Sequence, residues 1–243
     1  MRMKEDAMKN GQLKPAYNVQ HGVDSEYITW LTVGPQPTDT NTLIPFLKNM
    51  EENLDFKYLK IVADAGYESE ENYSFIEENN QIAFIKTINY EISKTRKYKN
   101  DIGKIENMDY DKENDFYKCR NGKQLKPERT KIKKSKTGYE SEKTIYVCED
   151  CSNCTYKSKC IKGNNCKTPS EERTKKFSRQ RKEDFERITT DEGCKLRMNK
   201  NIQIKHDMDF RRFMCRGKNN VLAESILLAL ANNSNKCFPV RFA

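Results

Sequence analysis

The stretch KYLKIVADAGYESEENY, residues 57–73, leaves few folds open. Tyr58, Leu59, Ile61, Val62 and Ala63 form an apolar run that predicts a short buried strand. Gly66 and Ser69 predict a turn, and the acidic run after it predicts a helix over roughly 69–79. A second apolar run, IAFIKT at 82–87, predicts another strand. Such alternation requires a mixed α/β sheet and excludes a helix bundle or a β-sandwich. Asp64 falls at the carboxyl end of a buried strand, where α/β proteins often place their chemistry.

Upstream, AYNVQHGVD (16–24) alternates as a strand, with Tyr17, Val19, His21 and Val23 on one face. Asp24 and Ser25 predict a turn, and YITWLTV (27–33) the return arm of a hairpin. Thr40 or Asn41 can cap a helix through about Glu52 that puts Leu43, Phe46, Leu47 and Met50 on one face. Beyond residue 90 the character changes. Residues 91–143 are polar and carry only short strand-like pieces such as DFYKC. Within KQLKPERTKIKKSK (123–136) seven residues are basic and one acidic, which marks a solvated surface or a nucleic-acid contact. A helical stretch is expected over 170–198, and an apolar helix over about 219–232 anchored by Val221, Leu222, Ile226, Leu227 and Leu230. The chain therefore divides into 1–90, a basic and Cys-rich insertion at 91–170, and a helical part at 171–243.

Hydrophobic residues make up 35% of the chain and charged ones 33%, so the core is modest. A net charge of +9 points to a polyanion, nucleic acid or an anionic membrane surface; a lysine-rich soluble protein is the plainer reading. The longest apolar run, ILLALA at 226–231, is far short of the ~20 residues that span a bilayer. The amino-terminal MRMKEDAMKNGQLK lacks the apolar core of a signal peptide. Nine cysteines without an export signal suggest a reducing cytoplasm, and metal or free thiols rather than disulfides.

The cysteines cluster as Cys148-x2-Cys151-x2-Cys154-x5-Cys160, with Cys119 upstream in YKCRNGK. Two-residue spacing lets thiolates of one turn reach a tetrahedral Zn²⁺. The favoured ligand set is Cys119, Cys151, Cys154 and Cys160, with Cys148 as substitute; free reduced thiols are the alternative. Such a site would hold the insertion together where apolar burial is thin, and would not be catalytic. Cys166, Cys194, Cys215 and Cys237 lie outside ligand spacing.

Together, GQLKPAYNVQHGVDSEYITWLTVGPQPTDTNTLIPFL, IVADAGYESEENY, the cysteine cluster and DFRRFMCRGKNNVLAESILLALANNSNK resemble insertion-sequence transposases of the DDE type, over residues 1–238. The resemblance implies an RNase H-like mixed sheet and three carboxylates holding two Mg²⁺ or Mn²⁺ ions. Asp64 matches the second carboxylate, with Gly66 and Tyr67 in its motif. The first aspartate of such enzymes sits on a strand well upstream of YNVQ, so the chain is expected to be a carboxy-terminal portion lacking that central strand. Asp24 is better read as a turn residue. The third acid belongs to a helix whose Ile-Gln and Lys survive here as Ile202, Gln203 and Lys205. Between Gln203 and Lys205, however, about two turns of helix are missing, the glutamate among them. Asp207, Asp209 and Glu224 read as surface acids rather than substitutes.

On this reading the chain is of transposase lineage and catalytically incomplete, contacting the DNA of element ends through Lys131, Lys133, Lys134, Lys136, Arg211, Arg212, Arg216 and Lys218. The edges flanking the missing strand would be left unpaired, open to a partner chain, either a homo-oligomer or an intact transposase. The expected place is the bacterial cytoplasm, with the nucleoid. The rival is a non-enzymatic, zinc-stapled DNA-binding or protein-interaction module that regulates an intact transposase.

Overall fold

Strand β1 (Asn18–Asp24) turns back antiparallel onto β2 (Tyr27–Gly34). Ser25 and Glu26 make the turn with φ of 48° and 74°, the left-handed pair whose twist suits a tight hairpin. The ladder slips between Gly22 and Val23. The inward face is Gln20, buried, and Gly22, where a Cβ would come within 3.0 Å of the Phe46 ring. Helix α1 (Leu43–Leu54) buries Leu43, Phe46, Leu47 and Met50, as its periodicity predicts. The computed structural model describes residues 16–161, 170–198, 210 and 212–237.

Strand β3 (Lys60–Ala63) pairs in parallel with β4 (Ile82–Ile85), and α2 (Glu70–Glu78) makes the crossover. Ser69 caps α2 by accepting from the Asn72 N–H at 3.1 Å. Leu59, expected in the strand, lies outside it and is exposed. Ile61, Tyr73, Ile76, Ala83 and Ile85 join the buried face of α1 in one core. Each large side chain buried there contributes roughly 1.5–3 kcal/mol.

Past β4, two single-turn helices, α3 (Tyr90–Ser93) and α4 (Arg96–Lys99), lead into a five-stranded antiparallel sheet. Its order is β5 (Asp109–Asp111), β6 (Phe116–Lys118), β7 (Gln124–Lys134), β8 (Glu140–Cys148) and β9 (Ser170–Arg173). The basic run, read from sequence as a solvated surface or a nucleic-acid contact, is an eleven-residue strand. Leu125 alone is buried in β7 and the rest is exposed on both faces, so no alternation betrayed it. A short α5 (Lys157–Cys160) follows the cysteine turns.

The expected helix over 170–198 is instead β9, α6 (Lys175–Thr189) and α7 (Asp191–Met198). Thr190 breaks it, its Oγ1 accepting from the Gly193 N–H at 3.1 Å. A Cβ at Gly193 would lie 2.2 Å from the Arg187 carbonyl oxygen, so the tight corner requires glycine. The last helix, α8 (Lys218–Cys237), lies against β2. It buries Val221, Ser225, Ala229 and Asn232 and leaves Ile226, Leu227 and Leu230 exposed, which corrects the expected apolar anchor. Small and polar residues let α8 approach the β2 backbone: the Asn233 side chain both accepts from Ile28 N–H and donates to Ile28 C=O, each at 2.9 Å.

The class is mixed α/β, with β1–β2 and β3–β4 as separate two-stranded sheets among the described residues. Helices close the outer edges of both. On β4, Asp184 accepts from Ile85 N–H at 3.1 Å and Arg187 donates to Ala83 C=O at 3.1 Å, while Asn233 does the same for β2. The inner strands β1 and β3 line one cavity of about 240 Å³. No helix among the described residues is long and apolar enough to cross a membrane.

Candidate functional site

Asp64 stands exposed at the end of β3, where its Oδ1 accepts from the Ala65 N–H and starts a one-turn 3₁₀ helix through Tyr67. The loop behind it is held from several sides. Asn72, fully buried, donates to Tyr67 C=O at 2.7 Å and to Thr40 C=O at 3.0 Å. Glu68, buried, pairs with Arg181 of α6 at 2.7 Å and accepts from the Ile88 N–H at 2.7 Å. Held by the guanidinium on one side and the Ile88 amide on the other, the buried Glu68 fixes the loop geometry.

The structure adds a carboxylate that sequence reasoning missed, Asp39. It packs against Gly66, where a Cβ would come within 2.9 Å of Asp39 Oδ2. Asn18 and Gln20 of β1 donate to Asp39 Oδ1 at 2.7 and 3.2 Å. Two polar residues two apart on the inward face of a strand were the available signal, because such a face demands a polar partner. Tyr67 lies between the two acids: burial, then Asp39, then Asp64 push its hydroxyl well above the ordinary tyrosine value.

Among the described residues no group of three or more His, Cys, Asp or Glu side chains is placed to hold a metal ion. Among the described residues, Asp64 and Asp39 alone do not make up a two-ion strand-cleavage site. Asp24 sits at the hairpin turn, where Ser25 Oγ donates to it at 3.2 Å. Glu224 accepts from the N–H groups of Met214 and Cys215 at 3.0 and 3.1 Å, an anchor for the strap before α8. Arg211, Ile202, Gln203, Lys205, Asp207, Asp209 and Cys166 lie outside the described residues.

The basic candidates fall in two places. Lys131, Lys133 and Lys134 are on β7 and Lys136 is in the turn that follows, all exposed. Lys134 leans on Glu140 at 3.3 Å. The tip of this ribbon is tied to the first turn of α2, just after the Asp64 loop. Tyr139 donates to Glu70 at 3.1 Å and lies 3.0 Å from Ser74 Oγ, and Thr137 Oγ1 donates to Glu71 at 2.6 Å. Arg212, Arg216 and Lys218 are exposed at the start of α8, on a separate element.

The five clustered cysteines do come together. Cys119 opens the β6–β7 turn, closed by Gly122 N–H to Cys119 C=O at 2.9 Å; Cys148 ends β8; Cys151 and Cys154 follow; Cys160 ends α5. All five line one small cavity and all are free thiols. Burial, then the neighbouring Cys151 thiol, push Cys148 up to about 12.

The Transposase DDE domain family model matches residues 118–238. No curated protein and no solved structure matches the chain. The matched half holds the basic ribbon, the cysteine turns and helices α6 to α8, while Asp64 lies before it. By that match the chain belongs to the DDE-type transposase family.

Proposed function

We propose that this chain is a DNA-binding member of the transposase lineage that grips phosphate backbone and lacks a complete strand-cleavage site. Transposases of this family act on DNA with divalent metal. The observation that carries the reading is the basic β7–β8 ribbon, tied by Tyr139 and Thr137 to the helix that begins six residues after Asp64. That tie would lay a duplex held by Lys131, Lys133, Lys134 and Lys136 against the Asp64 end of the core. Arg211, Arg212, Arg216 and Lys218 would supply further phosphate contacts. Residues 1–90 and 171–243 then form the core, and 91–170 the zinc-stapled, DNA-gripping insertion, in a bacterial cytoplasm.

The test is binding of the purified chain to labelled duplex across a salt series, followed by incubation with Mg²⁺ or Mn²⁺. Log affinity should fall with log salt at ~0.9 per phosphate neutralised, and no nicks should form. A salt-independent affinity sinks the DNA assignment. Metal-dependent nicking that Asp64→Ala abolishes sinks the claim of an incomplete site.

A second reading, regulation of an intact transposase by mixed assembly, draws on one observation. The inner strands β1 and β3 each have one strand neighbour among the described residues and border a common cavity. A strand from a second chain, of this protein or of an intact transposase, would find both edges there. Light scattering of the chain alone and mixed with a complete family member separates the cases; a strict monomer in both removes this reading.

A further inference from the structure

We infer that the five-thiol cavity is a structural site for one thiophilic divalent cation of the zinc class, held by four of the five thiols Cys119, Cys148, Cys151, Cys154 and Cys160. The cavity measures about 20 Å³, room for a single atom-sized guest. Its thiols come from separate parts of the chain: the β6–β7 turn, the end of β8, the following loop and α5. Disulfides would pair them two by two and strand the fifth. A tetrahedral ion uses four at once, with metal–sulfur distances of ~2.3 Å.

Cys119 packs against the buried Cys148 and Cys151. Cys148 and Cys151 both share the apolar cluster with Leu125 and Tyr146. The thiols stand wide of a coordination sphere, and Cys119, Cys154 and Cys160, half-buried, can turn inward about χ1.

Charge and stability agree with this assignment. Four thiols binding one divalent ion release four protons to solvent and leave a net charge of −2 at the site. Arg120 and Lys157 line the same cavity and would offset it. The sheet here buries only Leu125, Tyr146, Cys148 and Cys151 in its local cluster, too little to fix five strands. A metal staple supplies what the core does not.

The test uses the full chain, purified without chelator, with metal content by mass spectrometry alongside five single Cys→Ser variants. One zinc per chain is expected, retained by one of the five variants and lost at least tenfold more readily by the other four. Cobalt loading of the unmodified chain gives a spectroscopic readout that does not depend on variants folding. A tetrahedral thiolate spectrum supports the site, and a hydrated octahedral one overturns it. A folded chain without zinc, or zinc that all five variants retain equally, also overturns the assignment. DNA binding is not read in this experiment, so its failure leaves the DNA proposal standing.

Discussion

Replacing Asp184 by asparagine tests the packing of α6 on the core. Asp184 is fully buried and accepts from Ile85 N–H at 3.1 Å and Tyr73 O–H at 3.0 Å, with the Arg187 guanidinium 3.9 Å away. Burial outweighs these partners and raises its carboxyl from the ordinary 3.8 to about 6. The folded protein therefore holds the proton more tightly than the unfolded chain does. Its stabilising effect is complete below about 3.8 and is lost as pH rises through about 6. Two units of difference correspond to ~3 kcal/mol, with an uncertainty of about half that. Asparagine keeps the shape and the acceptor for Ile85, and the Tyr73 hydroxyl can reverse to accept from the new amide. Urea unfolding of both proteins at pH 4, 5, 6 and 7.5 should show Asp184→Asn gaining on the wild type by roughly 1–3 kcal/mol across that range. Comparing the two proteins cancels the titration of every other group. A difference that stays flat with pH, or a variant that weakens as pH rises, refutes the reasoning.

Three further outcomes follow from the ribbon and its base. Leu125→Ala, at a fully buried site in β7, should cost about 3 kcal/mol and speed limited proteolysis of the five-stranded sheet. Tyr139→Phe removes the tie to Glu70 and Ser74, about 1 kcal/mol; amide exchange should rise at Ser135 to Tyr139 and stay unchanged at Leu125. Changing Lys131, Lys133, Lys134 and Lys136 to glutamine should lower the salt slope of DNA binding by about 3 to 4, read by fluorescence anisotropy.

Much of the first ninety residues was legible. Leu43, Phe46, Leu47 and Met50 recur at helical spacing, and Ile61 to Ala63 form a strand too short for anything else. The ribbon was not, because β7 is wet on both faces and its pairing with β8 leaves no periodic trace. For α8 the apolar residues misled: the face against β2 is chosen by closeness of approach, which favours Ser225 and Ala229 over Leu227 and Leu230. Of the site, Asp64 and the convergence of five cysteines could be read from motif and spacing. Asp39 could not, because it joins Asp64 only through the contacts of β1 with the loop before α1.

The side chains of Asn233, Asp184 and Arg187 act as end stops on the two small sheets. Growth by strand addition is thereby confined to the inside, between β1 and β3. A chain that accepts a strand there has no outward template at Ile28, Ala83 or Ile85 to hand on to a third molecule. Association of this kind saturates at a fixed stoichiometry instead of propagating, so the edges of these two small sheets favour a closed pairing over a fibre.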